Sequence, residues 1–398
     1  MKQTIKNAMQ QALKNYFPFL LAIVFAVSIA MCNSKHSLSK GQVIKQFFSY
    51  SISQSLFHNG FQVFKTTLPC LDKTEKNLRQ WAEEPPVFHF LAALPMTLGI
   101  SNPAFMPLVS YLLLLIGILF LLKEIGLLFP LKELKLLSGK QSVAIFFLTS
   151  LTPVLLRYSI QHMPDLMACA WLVFAAVFLL KRKHFLCILF LTLAVTTKAV
   201  IFIPALAFLS FSYFFDHIKK PWFFFASLII IASPFVLWLT AISSLEIPNP
   251  FIFEHFLENR HSGQLLLLIE PRFWIRFFTW SASKGVGWIL FIGFLLYLFS
   301  WLKKKHIYTR EEKFLLLWSF SFLVSWIVIR QGNFVHDYYF LPFSIPIAIL
   351  GSLTLLKITN KIILISLTIL SIGYGIYPLF KLSPVSDQPP KFCQMEQR

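Results

Sequence analysis

Residues Leu155–Leu166 read LLRYSIQHMPDL: an apolar segment interrupted at Arg157, a polar turn, and then Met163-Pro164-Asp165. From Leu166 to Leu180 the chain carries no charge, and the run ends in Lys181-Arg182-Lys183. A carboxylate at the mouth of an apolar helix closed by three cations is the pattern of a membrane span. Its ionisable mouth is costly to keep and is therefore a functional candidate. Asp165 also suits helix N-capping and compensation of the helix dipole, a role compatible with the first.

Composition supports a membrane reading. Of 398 residues 57% are hydrophobic, 17% aromatic and only 13% charged, and the mean hydropathy is +0.68. A soluble surface needs more charge than this. The net charge of +19 does not indicate nucleic acid, because many of the lysines and arginines lie beside apolar runs, where the positive-inside rule places them. Part of the excess is available to anionic lipid or a phosphate-bearing substrate. The five cysteines show no metal spacing. Cys169 and Cys187 read as small buried hydrophobes, whereas a Cys32–Cys70 disulfide is open if the first large loop is extracytoplasmic.

A span takes about 20 mostly apolar residues, which predicts about eleven: Tyr16–Met31, Phe105–Leu122, Ser142–Ser159, Leu166–Leu180, Phe185–Thr196, Ala199–Phe215, Trp222–Ile242, Val286–Leu302, Phe314–Ile329, Tyr338–Leu356 and Ile362–Phe380. The expected architecture is an all-α polytopic membrane domain over residues 1–380, with a large first external loop (33–104) carrying short amphipathic helices. A second external loop (243–285) and a short tail (381–398) complete it. With the N-terminus in the cytoplasm and the C-terminus outside, every short basic cluster falls inside.

This topology brings four distant polar features to the external face: Glu83-Glu84-Pro85-Pro86, Arg157 through Asp165, Thr196-Thr197-Lys198, and Val335-His336-Asp337-Tyr338-Tyr339. Their chemistry is complementary. Lys198, Arg157 and His336 suit phosphate oxygens. Tyr338 and Tyr339 suit hydrogen bonding to, or stacking on, a sugar. Asp165, Glu83, Glu84 and Asp337 suit sugar hydroxyls or a proton from an attacking alcohol. Each has a plainer alternative: Lys198 snorkelling to headgroups, the tyrosines as interfacial aromatics, and the His336-Asp337 and Glu83-Glu84 pairs as solvated charge.

At these residues the chain resembles the GT-C membrane glycosyltransferases, in the branch related to protein O-mannosyltransferases and aminoarabinose transferases. HDYYFLPFSIP (His336–Pro346) is similar to the family's H-x-Y-x-L-P-x-x-P, Met163-Pro164-Asp165 to its P-D step, Thr196-Thr197-Lys198 to its T-K step, and Glu83–Ser101 to its acidic segment before a short helix. The resemblance implies a GT-C-like bundle, a polyprenyl-phosphate sugar donor, an extracytoplasmic acceptor (glycolipid, glycan or protein) and inversion at the anomeric carbon. In the first loop Lys45-Gln46-Phe47-Phe48 stands where relatives carry an acid regarded as catalytic, so Phe48 takes its slot. Glu84 stands where some members have a basic residue. Either the base is Glu83, Glu84, Asp72 or Asp165, or transfer activity is lost.

The leading expectation is an enzyme of the bacterial inner membrane, using Asp165, Glu84 and Glu83 in catalysis. Lys198, Arg157, His336, Asp337, Tyr338 and Tyr339 would hold the donor phosphate and sugar. No ligand spacing demands a metal, and no cofactor is assigned; a divalent cation on Asp165, Glu83 and Glu84 is left open. A catalytically degenerate scaffold and a lipid or solute transporter are the alternatives, the latter disfavoured by the lack of internal repeats.

Overall fold

The computed structural model describes residues 17–31, 43–65, 67–68, 79–80, 84–126, 139–216, 220–244, 265–303, 309–358 and 361–381. Apolar runs become helices because only an internally hydrogen-bonded backbone survives in hydrocarbon. In chain order the described α-helices are α1 (Phe17–Met31), α2 (Val43–His58), α3 (Val87–Ala93), α4 (Phe105–Glu124), α5 (Gly139–Ser150), α6 (Pro153–Tyr158), α7 (Asp165–Leu180), α8 (His184–Thr197), α9 (Phe202–Phe215), α10 (Pro221–Ser244), α11 (Pro271–Trp280), α12 (Trp288–Leu302), α13 (Arg310–Val328), α14 (Arg330–Val335), α15 (Leu341–Leu355) and α16 (Lys361–Lys381). The described β-structure is a two-residue antiparallel pair, Thr67–Leu68 with Arg79–Gln80.

Among the described residues three helical segments are long and apolar enough to cross a membrane: Phe105–Glu124, Pro221–Ile242 and Asp337–Leu355. A fourth, Pro271–Val286 with Trp288–Leu302, is bent by 118°. Other apolar helices, among them Asp165–Leu180 and His184–Thr197, are shorter. α7 packs between α4 and α8, and α15 against α12, α13 and α5. The α12–α15 crossing is tight. A Cβ on Gly351 would lie 2.2 Å from the Leu290 carbonyl oxygen, and one on Gly293 would lie 2.6 Å from that of Gly351. Small residues let the two backbones approach this closely.

Several boundaries differ from the sequence expectation for local reasons. The expected span Ser142–Ser159 breaks after Ser150, because Pro153 has no N–H to continue the ladder and instead starts α6. The expected span from Val286 starts at Trp288, since Gly287 takes φ +91°, a left-handed turn that glycine adopts without strain. Residues 271–285, expected within a loop, form α11 and most of a π-helical turn, Ser281–Val286. Alternating cations and aromatics left no apolar window to reveal them. The helix from Phe314 begins earlier, at Arg310, where the Thr309 hydroxyl accepts from the Glu312 N–H and Glu312 accepts from the Thr309 N–H, a capping box.

α7 separates two polar ends by about 24 Å at 1.5 Å per residue. At its Leu180 end, Arg310 donates to Asp216 (2.7 Å) and towards the Leu180 carbonyl, and Lys181 lies 3.3 Å from Glu124. The candidate site is at the other end.

Candidate functional site

Asp165 opens α7 at that end. It is 3% exposed and its Oδ2 has no hydrogen-bond partner. The helix cap is Pro164 and Asp165 makes no capping bond, so the capping role is not realised, although the carboxylate still sits in the first turn, where it complements the dipole.

Lys198 lies in the break between α8 and the Ala199–Ile201 turn. It does not snorkel: it is 5% exposed and donates to Glu84 Oε1 at 2.6 Å. Burial alone would lower its pKa, but Glu84 and Asp165 hold the ammonium well above the ordinary lysine value. Two sequence-expected residues 114 positions apart thus form one buried ion pair. Removing one partner of such a pair strands the other charge at a cost of roughly 3–5 kcal/mol. Glu84→Gln is therefore expected to lower the thermal unfolding temperature in detergent far more than Lys181→Gln at the opposite end. Glu83 lies outside the described residues, as do Asp72, Cys32 and Cys70.

His336, Tyr338 and Tyr339 form an aromatic wall. His336 stacks on Tyr338 at 5.0 Å, and the two tyrosine rings are 4.5 Å apart. The tyrosines are buried, unlike headgroup-level aromatics. Lys45, from α2, sits 4.1 Å over the Tyr338 ring and Lys198 6.0 Å from it.

Asp337 is committed to protein partners. Oδ2 accepts from Arg157 at 2.5 Å and lies 3.7 Å from Lys284 Nζ, while Oδ1 accepts from the Tyr158 hydroxyl at 2.6 Å. It orients two cations towards a cavity of about 460 Å³ whose lining includes Arg157, Gln161, Arg276, Trp280, Lys284 and Gln331. Lys284 stands 3.8 Å over Trp280, and the Arg276 guanidinium 4.1 Å over Phe334. Aromatic faces hold these cations without consuming their charge. Among the described residues Arg276 has no carboxylate partner, and it anchors by donating to the Phe334 carbonyl at 2.7 Å.

Sequence reading missed Lys45, Arg276 and Lys284. The available signal was in α11 and its π turn, where Arg276 and Lys284 recur on either side of Trp280 with the spacing of one helical face.

The first-loop helix α2 carries no acid. Phe48 packs against the loop's own apolar cluster of Ile52, Leu56 and Ala93. The same helix is tied down by buried histidines. His162 Nδ1 donates to the Pro103 carbonyl at 2.8 Å, which leaves Nε2 facing Ser53 Oγ at 3.3 Å, and Ser49 Oγ is 3.0 Å from His89 Nε2. Burial pushes His162 down to about 4 against the pull of the Pro103 carbonyl. Burial and then Lys45 push His336 down to about 4. Both imidazoles are neutral in the fold, while in the unfolded chain they protonate near 6.5. The unfolded state therefore binds more protons between pH 6.5 and 4, and stability falls as pH drops through that window. Unfolding temperature in detergent should decline from pH 7 to pH 5, and His162→Asn should flatten the decline.

Among the described residues no three His, Cys, Asp or Glu side chains gather as a metal site.

No protein-family model matches the chain, and no curated protein matches it by sequence. Its architecture does match solved structures. ArnT from Cupriavidus metallidurans in the apo state aligns at 16% identity with TM-score 0.57, covering 85% of this chain and 60% of that one. The same protein bound to undecaprenyl phosphate aligns at TM-score 0.55, with the same identity and coverage. The archaeal oligosaccharyltransferase AglB from Archaeoglobus fulgidus, in complex with an inhibitory peptide and a dolichol-phosphate, aligns at 14% identity and TM-score 0.54, covering 94% and 57%. The chain has the GT-C fold. It spans about three fifths of the length of these GT-C structures. In this GT-C fold the resemblance read from Glu84, Asp165, Lys198 and His336–Tyr339 corresponds to residues gathered at one end of the bundle.

Proposed function

We propose that this chain transfers a sugar from a polyprenyl-phosphate carrier to an acceptor hydroxyl at the outer face of a bacterial inner membrane. It would do so through about eleven spans, with the N-terminus inside and the C-terminus outside. The observation that carries the proposal is the cavity at this end of the bundle, where three cations (Arg157, Arg276, Lys284) face one carboxylate, Asp337. A glycosyl phosphodiester carries one negative charge, and the departing polyprenyl phosphate is a monoester that gains a second. Surplus positive charge of this kind favours the leaving group over the bound donor, which is what accelerates transfer. The sequence placed the phosphate against Lys198 and Arg157. Because Glu84 neutralises Lys198, the phosphate is assigned to Arg157, Arg276 and Lys284.

Tyr338, Tyr339 and His336 then border the sugar. The acceptor oxygen attacks the anomeric carbon from the side opposite the phosphate, its proton passes to Asp165, and the carbon–oxygen bond to phosphate breaks with inversion. The Glu84–Lys198 pair steadies Asp165. The acceptor is a glycolipid, a glycan or a protein.

A second reading rests on Phe48: with no acid on α2, the fold would hold a lipid-linked sugar without turning it over. Purified protein in nanodiscs with radiolabelled polyprenyl-phosphate sugars and a membrane extract as acceptor separates the two. Labelled product with release of polyprenyl phosphate supports transfer. Saturable binding without product supports the scaffold. Sugar flux across sealed vesicles would instead indicate a transporter.

A further inference from the structure

Gln161 lies in the polar turn between α6 and α7, four residues beyond Arg157. It is 1% exposed, lines the cationic cavity, and both its Nε2 and its Oε1 lack a hydrogen-bond partner. A buried carboxamide with both ends unsatisfied is expensive, because each group has lost its water without replacement. Gln161 leaves a donor and an acceptor open side by side. The cations around it answer negative charge. Gln161 answers a neutral group that accepts from its N–H and donates to its oxygen.

We infer that Gln161 is a specificity-determining residue that reads the transferred sugar through a neutral donor–acceptor pair, either neighbouring ring hydroxyls or an acetamido group. This rests on the donor reading above, with the phosphate held by Arg157, Arg276 and Lys284. The cavity then has two parts: a charged end that grips any polyprenyl phosphate, and a carboxamide end that distinguishes the sugar. Sites built to hydrogen-bond a substrate group discriminate strongly against ligands lacking it, because the site's buried polar atoms stay unpaired.

The test compares wild-type protein and Gln161→Leu in nanodiscs for binding of three probes: polyprenyl phosphate, polyprenyl-phosphate glucose and polyprenyl-phosphate N-acetylglucosamine. Gln161→Leu should weaken at least one sugar-linked lipid about tenfold or more while leaving the affinity for the sugar-free lipid unchanged. A loss confined to the N-acetylglucosamine lipid identifies an acetamido group, and a loss for both identifies ring hydroxyls. Because the amide is unpaired without ligand, Gln161→Leu should keep or raise the unfolding temperature of the ligand-free protein. A lowered unfolding temperature, or equal weakening of the sugar-free lipid, makes Gln161 structural and overturns the inference. So does a variant that binds all three like wild type. Wild-type protein that binds none of the three overturns the donor reading itself, and the role of Gln161 falls with it.

Discussion

Asp165→Asn should reduce the rate of sugar transfer by roughly 10²- to 10⁴-fold, the usual contribution of a positioned general base, with little change in affinity for polyprenyl phosphate. The substitution keeps the shape of the side chain and removes its capacity to take a proton. Asp165 is buried with Oδ2 unpartnered and makes no helix cap; it supports the Lys198 ammonium second to Glu84, which bonds it directly, so the fold depends less on the charge of Asp165 than on that of Glu84. The measurement is single-turnover release of polyprenyl phosphate by nanodisc-embedded protein, with unfolding temperature as the control. Transfer by Asp165→Asn at the wild-type rate would remove Asp165 from the chemistry and return the role of base to Glu84 or to Glu83.

The second large effect is on donor binding. Replacing Arg276 and Lys284 together by glutamine should weaken polyprenyl-phosphate binding by roughly 10²- to 10⁴-fold, since hydrogen bonds to charged groups contribute about 1.5–3 kcal/mol each. Wild-type binding should also weaken with salt, as expected for a partly exposed cationic mouth, and the double variant should lose most of that dependence. Lys181→Gln, at the opposite end of α7, should leave binding unchanged. Unaltered affinity in the double variant would place the phosphate elsewhere, with Lys45 over Tyr338 the next cation to examine.

Much of this was visible in the chain before any tertiary contact. Asp165, Lys198, Arg157 and Asp337 stood out because they are charges at the ends of apolar runs, where hydrocarbon makes an unneeded charge costly. Arg276 and Lys284 did not stand out, because α11 mixes cations with aromatics and reads as loop when only long apolar windows are counted. Gln161 carries no charge, and nothing about a glutamine in a polar turn announces burial without a partner. The partnerships were equally hidden: Asp337 meets Arg157 across 180 positions, and the site's groups could have paired in several other ways.

Composition and the spacing of apolar runs by themselves determined that this is a helical membrane protein and that its ionisable residues collect at the helix ends, because the bilayer imposes both on any chain of this kind. Only tertiary packing decided which charges cancel. Lys198 is spent on Glu84, Arg157 and Lys284 share Asp337, and Arg276 keeps its charge over the Phe334 ring. Electrostatic pairing acts within a few ångströms, a distance set by how the helices cross and not by their order along the chain.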